Sequence, residues 1–228
     1  MRKSGEGQAC RALVVTAMFF LGCRATQPIR PATPVPAPIF TQPSGFEAAI
    51  STAESLLGGK AAILALSDSP DDKIPAGRMF TTTDGLKKVV DLHDRLEAQG
   101  AYLFLLDSGM GFKPDRLGLL PTTDKYQVLE TMQTNGNHAH THAEVMAWLH
   151  ELDRSDPWLL LGASYDFVDG FFVDPVHDPN ALAQNVLTFC PDFYYQGIGL
   201  DPEKKGVPPL ALTEEYFRTE RTFHFWWD

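Results

Sequence analysis

The chain has 228 residues, 44% of them hydrophobic and 21% charged, enough apolar material for one packed domain with an appendage. That excludes a disulfide-stapled miniprotein and a disordered tail. Acidic residues outnumber basic ones, 29 to 19, for a net charge of −10; this argues against nucleic acid or an anionic membrane surface as the main partner.

Arg2, Lys3 and Arg11 precede an apolar run over residues 12–21, about half the ~20 residues a bilayer-spanning helix requires. This is the pattern of a secretory signal peptide over residues 1–22. The run ends in Phe20-Leu21-Gly22-Cys23, which resembles the lipobox of bacterial lipoproteins, with Phe20 where that motif prefers Leu, Val or Ile. The resemblance implies lipidation at Cys23 and a membrane partner reached through that lipid. An ordinary cleaved signal and an uncleaved anchor are the rival readings. With Cys23 lipidated and Cys10 in the leader, Cys190 is the sole remaining thiol, so no internal disulfide is expected. Loss of residues 1–22 removes Arg2, Lys3, Arg11 and Glu6, leaving the mature chain more acidic still. Arg24 follows the cysteine in place of the Asp associated with inner-membrane retention, which implies an outer-membrane anchor facing the periplasm.

Residues 23–44 carry Pro28, Pro31, Pro34, Pro36, Pro38 and Pro43, a density that disfavours helix and sheet and suits an extended tether. The globular part starts near Gly45. Residues 45–58 read as a helix, 60–67 as a short buried strand, and 68–77 as a loop rich in Ser, Asp and Pro. A helix follows Thr83 and Asp84 with Leu86, Val89, Val90, His93 and Leu96 at helical spacing, and stops at Gly100. Strands over 101–106 and 116–120 flank the turn Gly109-Met110-Gly111, with Met110 and Phe112 near its tip, as in a hairpin. A helix capped by Thr123 and Asp124 runs to Met132; Thr141 and Glu144 form the capping box of another. Strands over 158–162 and 165–173 come next, then a helix opened by Asp178-Pro179, a last helix over 210–220 and a terminal strand over 222–227. Strands and helices mixed without strict alternation predict an α+β fold with a mixed or antiparallel sheet. Residues 45–115 form either a separate small domain or additional elements on the main sheet; the absence of a linker favours the second.

The stretch 116–228 resembles the bacterial DUF4253 domain. The resemblance is carried by Leu119-Leu120-Pro121-Thr122-Thr123-Asp124-Lys125-Tyr126, Thr134-Asn135-Gly136 leading to Ala147-Trp148-Leu149, Asp178-Pro179-Asn180-Ala181-Leu182-Ala183, Phe189-Cys190-Pro191-Asp192, Gln196-Gly197-Ile198-Gly199 and Phe225-Trp226-Trp227-Asp228. It implies a family of unknown function whose members look like binding or stress-associated modules, some in toxin-immunity settings, and it transfers no catalytic residue. Here Thr134-Asn135-Gly136 is followed by Asn137-His138-Ala139-His140-Thr141-His142, a departure from the family pattern.

His138, His140 and His142 alternate, so an extended segment would point all three imidazoles to one side, a donor set suited to zinc. Asp166 and Asp169 are the carboxylates a hydrolytic version would draw on. The competing reading is a solvated turn before a helix. Cys190 reads as a buried structural thiol rather than a nucleophile, and Lys125 as a surface residue beside a helix cap rather than an anion ligand. The aromatic end of the chain offers a binding platform of Trp226, Trp227 and Asp228, with Asp166 as a neighbouring acid; period-two packing of these aromatics into the core is the alternative. The expected function is thus a membrane-tethered binding or interaction module outside the cytoplasm, with a protein as a further partner. A metal-dependent hydrolase on the histidine triplet and a toxin-immunity protein are the alternatives.

Overall fold

The computed structural model describes residues 44–66, 72–201, 203 and 206–227; the signal segment, Cys23, the tether up to residue 43 and Asp228 lie outside them. Helix α1 (Phe46–Leu57) buries Phe46, Ala49, Ile50 and Ala53, the spacing of one helical face. It stops at Gly58, whose left-handed φ of 77° lets its N–H reach Glu54 O. Strand β1 (Ala62–Ala65) pairs antiparallel with β2 (Lys73–Thr82).

Half of β2 falls where a loop is predicted. Residues 73–77 belong to a strand of ten residues, because the Pro and Gly that signal a loop sit in a bulge. Leu64 pairs with Ile74 while Ile63 pairs with Arg78, so residues 75–77 are skipped by the register and Pro75 is not asked for an N–H. Arg78 donates from Nη1 to the carbonyls of Pro75 and Gly77, at 3.0 and 2.9 Å. Helix α2 (Gly85–Glu97) buries Val89, Leu92 and Leu96, whereas Leu86 and Val90 are exposed. Its inner stripe is thus rotated from the predicted one, and His93 is half-buried with its ring edge-on to Tyr102.

Strands β3 (Tyr102–Asp107) and β4 (Asp115–Leu120) form the expected antiparallel hairpin. Helix α3 (Lys125–Met132) is capped by Asp124, which accepts from Tyr126 N; α4 (His142–Ser155) carries the complete Thr141/Glu144 capping box. These two helices cross over to β5 (Trp158–Ala163), the partner that runs parallel to β3. Strand β6 (Phe167–Phe172) returns antiparallel. Helix α5 (Pro179–Phe189) begins at Asp178 and is followed by one π turn and one 3-10 turn. Helix α6 (Pro209–Thr219) and edge strand β7 (Thr222–Trp226) complete the described residues.

Among the described residues, the seven strands lie in one mixed sheet of order β1-β2-β4-β3-β5-β6-β7, an α+β fold. Alternation divides the core between its two faces. Tyr102, Phe104 and Leu106 of β3 join the cluster under α3, α4, α5 and α6, while Leu103 and Leu105 join the one under α1 and α2. A strand buried on both faces must be continuously apolar, which is why 102–106 is Tyr-Leu-Phe-Leu-Leu. No helix among the described residues is long and apolar enough to cross a membrane.

Candidate binding face on the C-terminal strands

Strands β6 and β7 have two unlike faces. Val168, Gly170 and Phe172 pair with or lie beside Phe223 and Phe225 and point into the core; Phe167, Asp169 and Phe171 are opposite Trp226, His224 and Thr222 and point the other way. Helices α1 and α2 pack on the sheet from β2 to β5, so this second face is left half-buried at Phe167, Asp169 and Trp226 and exposed at Thr222 and His224.

Across the pair, His224 Nδ1 donates to Asp169 Oδ1 at 2.5 Å; the imidazole side chain is 60% exposed and the carboxylate 14%. Burial works against the protonated ring, but the Asp169 hydrogen bond and the charges of Asp169 and Asp166 outweigh it, so the His224 pKa is raised. The Phe167 ring is tilted against His224 at 5.6 Å. At the strand end Trp226 Nε1 donates to Asp166 Oδ2 at 3.4 Å, and Asp166 O accepts from Trp227 N at 3.0 Å. Tyr165, 52% exposed, stands in the turn between β5 and β6.

Of the four binding residues predicted, Trp226 and Asp166 therefore meet at this face. Trp227 does not: one residue further along, it swings to the core side, 1% exposed, with Nε1 donating to Phe189 O at 3.2 Å. Asp228 lies outside the described residues. His224 and Phe167 are additions. The signal for His224 was present, since the period of two that sends Trp226 outward sends His224 with it.

The three histidines do not share an extended strand: His138 is in a turn, His140 closes it, and His142 begins α4. Asn135 Oδ1 accepts from Asn137 N at 2.8 Å, Gly136 O accepts from Ala139 N at 2.8 Å, and Gly136 bridges to His140. His138 is exposed. His140 stacks on Phe189 at 3.9 Å and donates from Nε2 to Phe189 O at 2.9 Å. His142 places Nδ1 2.7 Å from Thr134 O and Nε2 2.9 Å from Glu130 Oε2. The alternation expected to align the imidazoles is lost because an Asx turn, absent from an extended segment, reverses the chain at Asn135. Among the described residues, the His, Asp and Glu side chains whose donor atoms all lie within 4.8 Å of one another are His93, Asp94 and Glu97 on α2, without the triplet.

Lys125 is half-buried and held in place, not a free surface residue. Its Nζ donates to Asp153 Oδ1 at 2.6 Å and Trp158 O at 2.5 Å, and lies 4.1 Å from the Trp158 ring centre. Burial lowers its pKa, against the opposing pull of Asp153. Tyr126 donates to Asp153 Oδ2 at 3.1 Å and stacks on His150 at 3.7 Å; its phenol is raised by burial and by Asp153. Asp153 thus ties α3, α4 and β5 together. Cys190 is fully buried with Sγ 3.1 Å from Trp226 O, and burial pushes its thiol up to about 12, which removes the thiolate a nucleophile needs. A cleft of about 240 Å³ between α4 and α5 is lined by Trp148, Glu151, Asp156, His177, Asp178 and Asn185. Its polar groups are engaged locally: Trp148 Nε1 donates to Asn185, His177 N to Asp156, and Ala181 N to Asp178.

Comparison with known proteins gives one result. A family model described as a domain of unknown function, DUF4253, matches residues 116–228. No curated protein and no solved structure matches the chain. The matched stretch opens in β4 and includes β5 to β7, whereas β3, inserted between β4 and β5 in the sheet, comes from outside it.

Proposed function

Residues 116–228 belong to the DUF4253 family, and from that premise we propose that the chain is a membrane-tethered binding module acting outside the cytoplasm, with the β6–β7 face as its contact surface. The carrying observation is the sheet face that the described helices leave open, on which Phe167, Trp226, Asp166 and the Asp169–His224 pair stand together. Aromatic rings give large contact area with few rotatable bonds, and the acids and imidazole around them supply directional bonds. The protein is acidic, so a protein partner suits it better than nucleic acid. The tether reading draws on the lipobox-like Cys23 and the proline-rich stretch behind it, and places the module on the periplasmic side of the outer membrane.

Two measurements test the halves of this reading separately. Palmitate labelling is expected in the wild type and lost in Cys23→Ser; labelling that survives the substitution removes the anchor. A photo-crosslinking residue at His224 is expected to give a discrete protein adduct in cells that the same residue at Lys60, in the connection before the opposite edge strand β1, does not. Identical adducts from the two positions would remove the β6–β7 face as the binding surface.

A further inference from the structure

The β3–β4 hairpin ends in an apex that the packing of the domain leaves unexplained. Phe112 is 96% exposed and Met110 79%. Both are held outward by a braced loop. Asp115 accepts from Gly109 N at 2.7 Å through Oδ1 and from Gly85 N at 2.6 Å through Oδ2, which fastens the loop to the start of α2. Gly109 O accepts from Phe112 N at 2.8 Å and Lys113 N at 3.2 Å, and Met110 N donates to Ser108 Oγ. Met110 and Gly111 have φ of 48° and 76°, consecutive left-handed residues that make the reversal. A loop with so many internal bonds could have folded its two apolar side chains down. It presents them instead.

The apex is acidic, with Asp84 and Asp115 beside the Lys113–Asp107 pair. Lys113 Nζ pairs with Asp107 Oδ2 at 2.7 Å, and Asp115 is occupied by the two backbone donors. The loop's other neighbours, Thr83, Asp84, Ser108 and Pro114, add no wider apolar rim. Two side chains beside an open hollow are far short of the ~800 Å² that each side of a specific protein interface buries, whereas a bilayer has no shape to complement and accepts isolated apolar side chains at its interface.

We propose that Met110 and Phe112 form a shallow membrane-insertion tip directed at zwitterionic lipid. This rests on the tether reading for its strength: residues 24–43 lie between the expected acyl site and the described domain, and twenty residues reach at most ~70 Å, about twice the ~33 Å length of the ten-residue strand β2. An anchored domain can therefore bring its hairpin to the surface it hangs from, and tethering turns weak insertion into an effectively intramolecular event at ~mM local concentration. The chain's net charge of −10 makes anionic lipid the poorer target.

The test uses the full chain with Cys10→Ser and Cys23→Ser, carrying an environment-sensitive NBD probe on Phe112→Cys or, as control, on Lys60→Cys, whose side chain is 90% exposed in the native protein. With phosphatidylcholine vesicles the probe at 112 is expected to brighten several-fold, shift to the blue and be quenched by brominated lipid, while the probe at 60 stays unchanged. Replacing half of the lipid by phosphatidylglycerol is expected to reduce the response. An equal response at both positions, or none at 112, overturns the proposal. A response at 112 to lipid-free envelope protein but not to vesicles overturns it in favour of a protein pocket. Because no acyl chain is present in this experiment, its failure is separate from that of the anchor, which palmitate labelling judges alone.

Discussion

His224 and Asp169 illustrate how one cross-strand pair carries both chemistry and stability. The folded pKa of His224 lies above the ordinary value of ~6.5. Its contribution to stability is therefore fully present below that value and is lost as pH rises through the raised one. The stability difference between wild type and His224→Gln, measured by urea unfolding at several pH values, is expected to be largest below pH ~6.5 and to shrink as pH rises through the raised pKa; a difference independent of pH would dispose of this account. Asp153 is a structural counterpart. It receives Lys125, Tyr126 and Trp158 N, and Lys125 has a side chain only 15% exposed. Asp153→Ala leaves a half-buried ammonium without its counter-charge, with Trp158 O as its remaining acceptor, and a phenol with Leu149 O alone, so a loss of roughly 2–3 kcal/mol is expected in denaturant melts. Lys125→Met in the same background should recover part of it.

Among the elements, the strand pairs β6–β7 and β3–β4 each depend on a close fit. An added Cβ at Gly170 would lie 2.1 Å from the Phe223 ring, and one at Gly118 would lie 2.3 Å from Phe104, so each aromatic lies flat over the glycine of its neighbouring strand. Gly170→Ala is expected to lower stability by ~1–3 kcal/mol through overpacking, with Phe223→Leu in the same chain restoring some of it; additive losses would show that the two sites are independent. The outer edge of β7 is covered without another strand. Tyr216 Oη donates to Thr222 O at 3.0 Å and Cys190 Sγ lies 3.1 Å from Trp226 O, side chains of neighbouring segments occupying carbonyls that would otherwise invite pairing.

For the molecule as a whole, the seven-stranded order matters most, because the family match begins inside β4 while β3 separates β4 from β5. A fragment of residues 116–228 would lack the strand that joins its two halves and would expose Leu117, Leu119 and Leu161, which pack with β3 in the second cluster. It is expected to lack the near-ultraviolet circular dichroism of the full chain and to be cleaved rapidly by protease; a cooperative melt of the fragment would contradict this. The sequence by itself determined what short-range physics decides. Hairpin β3–β4 and the capped starts of α3, α4 and α5 follow from turn residues and capping side chains, all local in the chain. The tertiary structure alone decided what long-range pairing controls. The bulge that makes a strand of residues 73–77, the rotated inner stripe of α2, the docking of His140 on Phe189, and the meeting of Asp169 with His224 each depend on partners outside the element concerned, where no periodicity reaches.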